Sequence, residues 1–449
     1  MRHRSLKRNF LVTGMFRSGT TMIARMLHSN PNIICASDPF SPIFKSFRNT
    51  IFSELVDSFD RDAPLHDYYL NHKYNDLYQE LQSRDFSQPI QKEEVIALRQ
   101  KLKIHCLPYS PLILPYLNKL NGATYSELFE SAVEIISKAY GKKDAKAIGF
   151  KEVWVDEFSP HFRNLNSGNK IIHIIRDPRS VVASNFASGT TYPLMFLIRQ
   201  WRKIATLALH NSQSTEDAKL IFFEDLLSNP EIKARELCAF LGVDFHENMH
   251  NPSSFTDGEG LPWFQNTSYN NFEKKKREFN LTAMDKWKLI LSDNDLALIE
   301  LLCSKEMSML RYETINDINE IKKRHDILEY EDDLSNCAQW IKPYSKYNYA
   351  KEVKSELKRL EMIDLQQELN TKLIRIDSHL SGNIVRNNKS FNSVVEFFPE
   401  IDENKLQNVE NFHRGITTIL KNQLQGEKSL ILERIESLKI DVKKIDDEL

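Results

Sequence analysis

A glycine-containing loop between an apolar run and a helical pattern constrains the fold of this 449-residue chain more than any other feature. The apolar run 10–13 leads directly into Gly14-Met-Phe-Arg-Ser-Gly-Thr-Thr, and a helical pattern follows. Two glycines at this spacing let the backbone curl until successive N–H groups point inward, and such a loop at a helix N-terminus binds phosphate oxygens. The sequence therefore predicts a phosphate-binding loop, formed by Gly14, Arg17, Ser18, Gly19, Thr20 and Thr21.

The first 312 residues alternate short β-branched runs with helical patterns. The predicted strands are residues 10–13, 33–36, 147–150, 170–175 and 219–223. The predicted helices are residues 20–28, 180–187, 194–210 and 231–241. Short continuous apolar runs are typical of parallel strands covered on both faces. The alternation predicts an α/β fold, with a P-loop-like parallel sheet flanked by helices.

The domain organisation is predicted from shifts in composition. Residues 1–312 form the α/β domain, and the charged, mostly helical stretch 41–146 is expected to be an insertion over the carboxyl edge of the sheet. It is either a structural excursion or a part that shapes the acceptor site. Residues 313–350 are expected to be a linker, and residues 351–449 a helical C-terminal extension.

The end of that extension carries a short heptad-like pattern. Apolar residues follow each other at alternating steps of four and three: Ile431, Ile435, Leu438, Val442, Ile445 and Leu449. This spacing predicts a coiled-coil-like segment that joins copies of the chain into a homo-oligomer. A helix packed on its own domain explains the pattern equally well.

A second predicted anion site lies where the fourth predicted strand ends. Arg176 follows this strand directly, and Ser184 comes eight residues later on the next predicted helix. A guanidinium at a strand tip and a hydroxyl on the following helix can grip one phosphate group. Taken alone, Arg176 could instead form a structural ion pair with Asp177 or Glu224.

Together these two motifs resemble the PAPS-dependent sulfotransferase family, in the form found in its carbohydrate, tyrosyl-protein and bacterial members. Residues 14–21 are similar to the family's 5′-phosphosulfate loop, and Arg176 with Ser184 is similar to the pair that holds the 3′-phosphate of the donor. The resemblance covers about residues 8–312 and is poor over 41–146. It implies 3′-phosphoadenosine 5′-phosphosulfate (PAPS) as the donor, with no metal.

The resemblance extends to further donor contacts later in the chain. Ser268 is similar to a serine near the donor phosphates, and Lys286, in Lys286-Trp287, is similar to a late element of the family. Phe223 stands where the family often has tyrosine, which implies that one hydroxyl contact to the donor is missing or that this residue belongs to the core.

The resemblance also implies the catalytic residues. Asp38, after the second predicted strand, is similar to an acidic position of the carbohydrate and tyrosyl-protein enzymes, although a turn-capping role before Pro39 explains it equally well. Lys151 and Glu152, at the end of the third strand, are similar to the family's Lys-Asp/Glu element. Asp38 or Glu152 would deprotonate the acceptor, while Arg17 and Lys151 would offset charge on the leaving phosphate.

Composition excludes several other classes of protein. A net charge of −2 gives no whole-chain signature of nucleic-acid binding. The five cysteines are scattered, which fits a reducing compartment and a cytoplasmic location. We find no apolar run of about 18 residues, so no membrane span is expected. The segment 246–250 matches a HExxH zinc pattern, but nearby Gly242 and Pro252 leave little room for the helix such a site needs.

Two rival functions remain open at the level of sequence. A P-loop kinase or NTPase would use the same loop, but the lysine expected after the second glycine is replaced by Thr20. A non-catalytic scaffold would act through the C-terminal helices. For the favoured transferase, the acceptor is expected to offer a hydroxyl or amine on a glycan, a lipid-linked sugar or a small metabolite.

Overall fold

The computed structural model describes residues 8–57, 59–62, 65, 80–187, 192–263, 279–324, 326–329, 349–380, 425–434 and 436. The chain divides into two units, Met1–Tyr349 and Ala350–Leu449. The predicted boundaries at 312 and 350 remain predictions.

A five-stranded parallel sheet forms the centre of the first unit. Its strands are β1 (Arg8–Gly14), β2 (Ile33–Ser37), β3 (Ala147–Lys151), β4 (Lys170–Ile175) and β5 (Ala218–Phe222). They lie in the order β2-β3-β1-β4-β5. All five predicted strands are found, each within two residues of its predicted ends, which confirms the predicted α/β fold with its parallel sheet.

Helices follow the strands, as expected of βα units. Those of the first unit are α1 (Thr20–Ser29), α2 (Ser41–Leu55), α3 (Lys92–Cys106), α4 (Tyr125–Tyr140), α5 (Ser159–Asn164), α6 (Pro178–Phe186), α7 (Leu194–Ser214), α8 (Phe223–Ser228), α9 (Pro230–Leu241), α10 (Trp287–Ile290), α11 (Asp293–Met309) and α12 (Ile318–Ile321). Short 3-10 helices lie at Pro111–Lys119, Asp156–Phe158, Glu247–His250, Pro252–Ser254, Leu281–Met284 and Asp326–Glu329. The four predicted helices correspond to α1, α6, α7 and α9.

The two faces of the sheet are covered by different parts of the chain. Leu11 and Phe150 point to one face, where they join a large core with the helices of residues 41–146. Phe10 and Val12 point to the other, where α1 and α9 cover them. This alternation follows from the two-residue period of a strand. The stretch 41–146 thus contributes much of the core on one face of the sheet, and its description as an insertion remains a prediction.

The second unit is helical in its described part. It contains α13 (Tyr349–Leu380) and a helix over residues 425–434. Of the predicted heptad positions only Ile431 lies among the described residues, so the coiled-coil-like segment and the homo-oligomer remain predictions. Among the described residues, no helix combines the length and apolar character needed to cross a membrane.

Candidate active site

The loop between β1 and α1 is held by close backbone packing at its two glycines. A Cβ on Gly14 would lie 2.2 Å from the carbonyl oxygen of Ile174 on β4, and a Cβ on Gly19 would lie 2.3 Å from the Phe223 ring. Gly19 also has a φ of 87°, in the left-handed region that disfavours other residues. Glycine is therefore required at both positions, and the loop can lie directly on β4 and α8.

The loop residues between the glycines are aligned by the backbone. The Ser18 N–H donates to the carbonyl oxygen of Met15 at 3.0 Å, and Arg17 has a φ of 68°. The Ser18 hydroxyl is buried and has no hydrogen-bond partner among the described residues. Because a buried hydroxyl without a partner is costly, this oxygen is suited to a ligand that enters the loop. Thr20 is buried at the first turn of α1, and Thr21 is half-buried beside it.

Arg176 joins the tip of β4 to the loop. Its Nη1 donates to the carbonyl oxygen of Arg17 at 2.9 Å, and its Nη2 donates to that of Ala283. The guanidinium lies 4.4 Å from the centre of the Phe223 ring, and the residue is 6% exposed. Burial lowers the pKa of Arg176 to about 10, so the side chain stays charged at neutral pH.

The alternative structural ion pair of Arg176 is not formed. Glu224 accepts instead from the Asp177 N–H at 3.0 Å and from the Tyr312 hydroxyl at 3.0 Å. Asp177 pairs with Arg179, with 2.6 Å between Oδ2 and Nη2. In the described part of the chain, Arg176 therefore forms no direct ion pair with a carboxylate, although the charges of Glu224 and Asp177 act on it.

The remaining predicted donor residues are less closely defined. Ser184 lies half-buried on α6 and makes no hydrogen bond to the described residues. Lys286 lies exposed at the start of α10. Ser268 lies outside the described residues. Phe223, where a tyrosine hydroxyl was considered, belongs to the core between Gly19 and Arg176.

The predicted catalytic residues lie at the carboxyl ends of β2 and β3. The Asp38 N–H donates to the Lys151 carbonyl at 2.6 Å, and the Lys151 Nζ donates to Asp38 Oδ2. The Lys151 side chain is 4% exposed, whereas that of Asp38 is 16% exposed. Asp38 Oδ1 has no hydrogen-bond partner among the described residues. A buried lysine and a partly accessible carboxylate thus share one ion pair.

Glu152 sits behind this pair, in a different environment. It is 1% exposed, and its Oε1 accepts from the Phe40 N–H at the beginning of α2. Burial, together with the negative charge of Asp38, raises the pKa of Glu152 well above its usual value. Glu152 is therefore placed to anchor the turn that carries Asp38.

Sequence reasoning missed a third group near this turn, His105 at the end of α3. Its Nε2 lies 3.2 Å from the Ser41 hydroxyl oxygen. Burial lowers the pKa of His105, and the neighbouring Asp38 opposes that change. His105 is 67 residues from Asp38 in the chain, and no motif surrounds it. Only the packing of α3 against α2 reveals this contact.

Strand register brings the two groups of residues to one edge of the sheet. Val12 of β1 pairs with Lys151, and Gly14 pairs with Ile174, two residues before Arg176. The chain moves from one side of β1 to the other between β3 and β4, which is where open α/β sheets bind ligands. An anion held between the loop and Arg176 would therefore lie next to the Asp38–Lys151 pair.

The zinc-like segment does not adopt the geometry that its pattern requires. Residues Glu247–His250 form one 3-10 turn, and the His246 Nδ1 accepts from the Asn248 N–H at 3.2 Å. The two histidines consequently do not lie on successive turns of one α-helix. Over the described ranges, no group of three or more His, Cys, Asp or Glu side chains could hold a metal ion.

One family model matches part of the chain. A sequence model described as "Sulfotransferase family" matches residues 167–247, a segment that includes Arg176 and Ser184. No curated protein matches the chain significantly.

Several solved structures are similar to the chain. A sulfotransferase domain from the olefin synthase of Synechococcus PCC 7002 shares 17% identity over 68% of this chain and 94% of that chain, with a TM-score of 0.41. A sulfotransferase domain from the curacin biosynthetic pathway shares 16% identity over 69% of this chain and 99% of that chain, with a TM-score of 0.41. A sulfotransferase from Alicyclobacillus acidocaldarius shares 13% identity over 70% of this chain and 99% of that chain, with a TM-score of 0.33.

Proposed function

We propose that this chain moves a sulfonate group from PAPS to a hydroxyl or amine of an acceptor. Its residues 167–247 match the model of the sulfotransferase family. The observation that carries the proposal is the reach of Arg176 from β4 back to the Arg17 carbonyl. This contact joins the phosphate-binding loop and a charged guanidinium into one anion-binding surface, as a nucleotide with phosphates at both its 3′ and 5′ positions requires.

The residues present fit such a donor. The two glycines let the loop lie against β4 and the Phe223 ring. The buried Ser18 hydroxyl and the Arg176 Nε are polar groups without partners among the described residues. The loop N–H groups, Ser18, Thr20 and Thr21 would hold the 5′-phosphosulfate. Arg176 and Ser184 would hold the 3′-phosphate, with Ser268 and Lys286 as further contacts. Bound PAPS supplies an activated sulfonate, and no metal is part of the proposal.

Lys151 and Arg17 would offset the negative charge that builds up on the departing phosphate. During transfer a new bond forms between the acceptor atom and sulfur, while the bond between sulfur and the phosphate oxygen breaks. Lys151 is nearly buried, and a charge in such a place acts more strongly than one in water. Its ion pair with Asp38 holds the Nζ beside the proposed base. Lys151 would therefore both orient the base and offset charge on the leaving phosphate.

Asp38 is the base that we favour. Its Oδ1 is buried and has no hydrogen-bond partner among the described residues, so a lone pair is left for the proton of the acceptor. The Asp38 side chain as a whole is more accessible than that of Lys151. Glu152 is less suited because it already accepts from the Phe40 N–H and its raised pKa favours the protonated form. The proton of the acceptor would pass to Asp38, and Glu152 would position the turn.

Binding of the desulfonated product tests the donor class. Adenosine 3′,5′-bisphosphate is titrated calorimetrically into the full chain, and ATP with magnesium is titrated separately. We expect micromolar binding of the bisphosphate and weak binding of ATP. Arg176→Ala should weaken bisphosphate binding about 100-fold, because charge-assisted hydrogen bonds to phosphate contribute about 1.5–3 kcal/mol each.

The matched control is Arg235→Ala, which removes an exposed arginine on α9 that pairs with Glu231. It should leave bisphosphate binding unchanged, and thermal melting of each variant shows that the fold is kept. Tight, magnesium-dependent ATP binding that is indifferent to Arg176 would refute the sulfotransferase proposal in favour of a P-loop kinase or NTPase.

A further inference from the structure

Arg25 is a buried cation that the proposed donor site does not use. It lies on α1 between Ala24 and Met26, which are both fully buried, and is itself 6% exposed. Its Nε is buried without a hydrogen-bond partner, and the guanidinium forms no hydrogen bond, ion pair or ring contact with the described residues. A side chain that can donate five hydrogen bonds therefore makes none to the part of the chain that the structure describes.

Such an arrangement is unfavourable in the absence of a ligand. Burial lowers the pKa of Arg25, yet an arginine side chain stays protonated in proteins. A buried charge that is neither paired nor hydrogen-bonded destabilises the folded state, and buried charges are normally compensated. The unused donors of Arg25 are consequently best explained by a group that arrives from outside the chain.

Among the described residues, no neighbouring group forms a hydrogen bond or an ion pair with Arg25. Those that influence its pKa are Tyr140 from α4, Cys35 and Asp38 from β2 and its following turn, and Asp257 from a loop near the end of the domain. Burial raises the pKa of Cys35 to about 12 and also raises that of Tyr140, so both are uncharged at neutral pH.

The two carboxylates near Arg25 are already engaged elsewhere. Asp38 accepts from Lys151, while Asp257 Oδ1 accepts from the N–H groups of Glu259 and Leu261, each at 2.9 Å. The nearby imidazole of His28 is held neutral, because burial lowers its pKa and Lys142 and Arg25 lower it further. Asp38 and Asp257 thus act on Arg25 only at longer range, and its donors stay without a hydrogen-bond partner among the described residues.

The position of Arg25 assigns it to the acceptor rather than to the donor. Its neighbours Cys35 and Asp38 belong to β2 and the turn after it, and β2 is the edge strand of the sheet. Arg176, in contrast, follows β4 on the other side of β1. Asp38, the base that we favour, is thus one of the groups whose charge acts on Arg25.

We propose that Arg25 binds an anionic group of the acceptor, so that the chain sulfonates a molecule that already carries a carboxylate, phosphate or sulfate. This inference rests on the proposed sulfotransferase function and narrows its acceptor to acidic molecules. Arg25 would hold the anion in a bidentate manner while the hydroxyl or amine lies at Asp38. The distance between the two would select where on the acceptor the sulfonate is placed.

The test is anion binding to the full chain when the donor site is already filled. The protein is saturated with adenosine 3′,5′-bisphosphate and then titrated with inorganic phosphate or glucuronate, with glucose as the neutral control. We expect both anions to bind, glucose not to bind, and Arg25→Gln to weaken anion binding about tenfold or more. Arg25→Lys should keep part of the affinity, and the surface variant Arg235→Gln should keep all of it.

Thermal melting separates a binding role from a structural one. Arg25→Met should melt at the same temperature as the wild type or higher, because it replaces an unpaired buried charge with an apolar side chain of similar length. A marked fall in melting temperature, an absence of anion binding, or binding that Arg25→Gln leaves unchanged would each overturn the inference. If the bisphosphate itself does not bind, the sulfotransferase proposal fails, and the acceptor role of Arg25 fails with it.

Discussion

Asp38 and Glu152 show how position gives two neighbouring carboxylates different surroundings. Both lie beside Lys151 at the carboxyl edge of the sheet, and the negative charge of Asp38 adds to burial in raising the pKa of Glu152. Two neighbouring carboxylates rarely ionise together in a buried place. The more accessible Asp38 pairs with Lys151, and burial raises the pKa of Glu152 instead.

Replacing Glu152 by glutamine should therefore change how stability depends on pH. The folded-state pKa is raised above the usual value of 4.5, so the folded protein keeps a proton that the unfolded chain releases. Its contribution to stability is present at low pH and is lost as pH rises through the folded pKa. The wild type and Glu152→Gln should have equal melting temperatures at about pH 4. As pH rises towards about 8, Glu152→Gln should become the more stable of the two proteins. Parallel curves would contradict the raised pKa.

The same variant distinguishes the base from the positioning residue. Glutamine can still accept from the Phe40 N–H, so Glu152→Gln should keep turnover within a few-fold once an acceptor has been found. The matched variant Asp38→Asn should reduce turnover by about 10²–10⁴-fold, as loss of a general base does, while bisphosphate binding persists. The opposite ranking would make Glu152 the base.

At the scale of elements, the β1–loop–α1 unit depends on an aromatic ring from a distant part of the chain. Phe223, at the start of α8, lies against Gly19 on one side and under the Arg176 guanidinium on the other. The ring fixes the distance between the loop and the strand tip that are proposed to hold the two phosphates. A phenylalanine performs this task without the hydroxyl that a tyrosine would bring.

Gly19→Ala should disturb this unit specifically. The new Cβ would lie 2.3 Å from Phe223 Cδ2 and would also occupy a φ of 87°. We expect bisphosphate binding, measured by calorimetry, to weaken about tenfold or more, because the loop must move away from Arg176. The control is Gly141→Ala, where φ is 62° but no atom lies within 4 Å of the new Cβ.

The control should lower stability by about 1 kcal/mol through backbone strain alone and leave bisphosphate binding intact. If the two variants bind the bisphosphate equally well, the contact of the loop with Phe223 does not matter for binding.

Local patterns were sufficient to predict the strands and the glycine loop between β1 and α1, because a buried parallel strand and a glycine turn each depend on a few consecutive residues. The lysine–carboxylate element at β3 was also recognisable. The separate tasks proposed for Asp38 and Glu152 could not be predicted, since they depend on which carboxylate accepts from the Phe40 N–H after folding. The packing of residues 41–146 against the sheet could not be predicted either, because their apolar side chains contact it only in the folded chain.

At the scale of the whole molecule, a buried polar network ties the end of the first unit to the proposed donor site. Glu300 is fully buried on α11, and its Oε1 accepts from Arg179 Nη1 at 2.7 Å. The same carboxylate accepts from the Ile315 N–H at 2.9 Å and from two nitrogens of Asn316. Arg179 belongs to α6, the helix that follows Arg176. Residues beyond 312 thus contribute to the order of the site.

This network makes the domain boundary testable by truncation. A chain of residues 1–312 would lose three hydrogen bonds to the Glu300 carboxylate and the buried Ile321 of α12. Hydrogen bonds to charged groups contribute about 1.5–3 kcal/mol each, so its stability should fall by about 3 kcal/mol or more relative to a chain of residues 1–349. The longer chain should bind adenosine 3′,5′-bisphosphate as the full chain does. Circular dichroism melting and calorimetry measure the two effects. Equal stability of the two truncated chains would place the boundary at 312, whereas loss of bisphosphate binding by the 1–349 chain would show that the C-terminal unit is needed for the site.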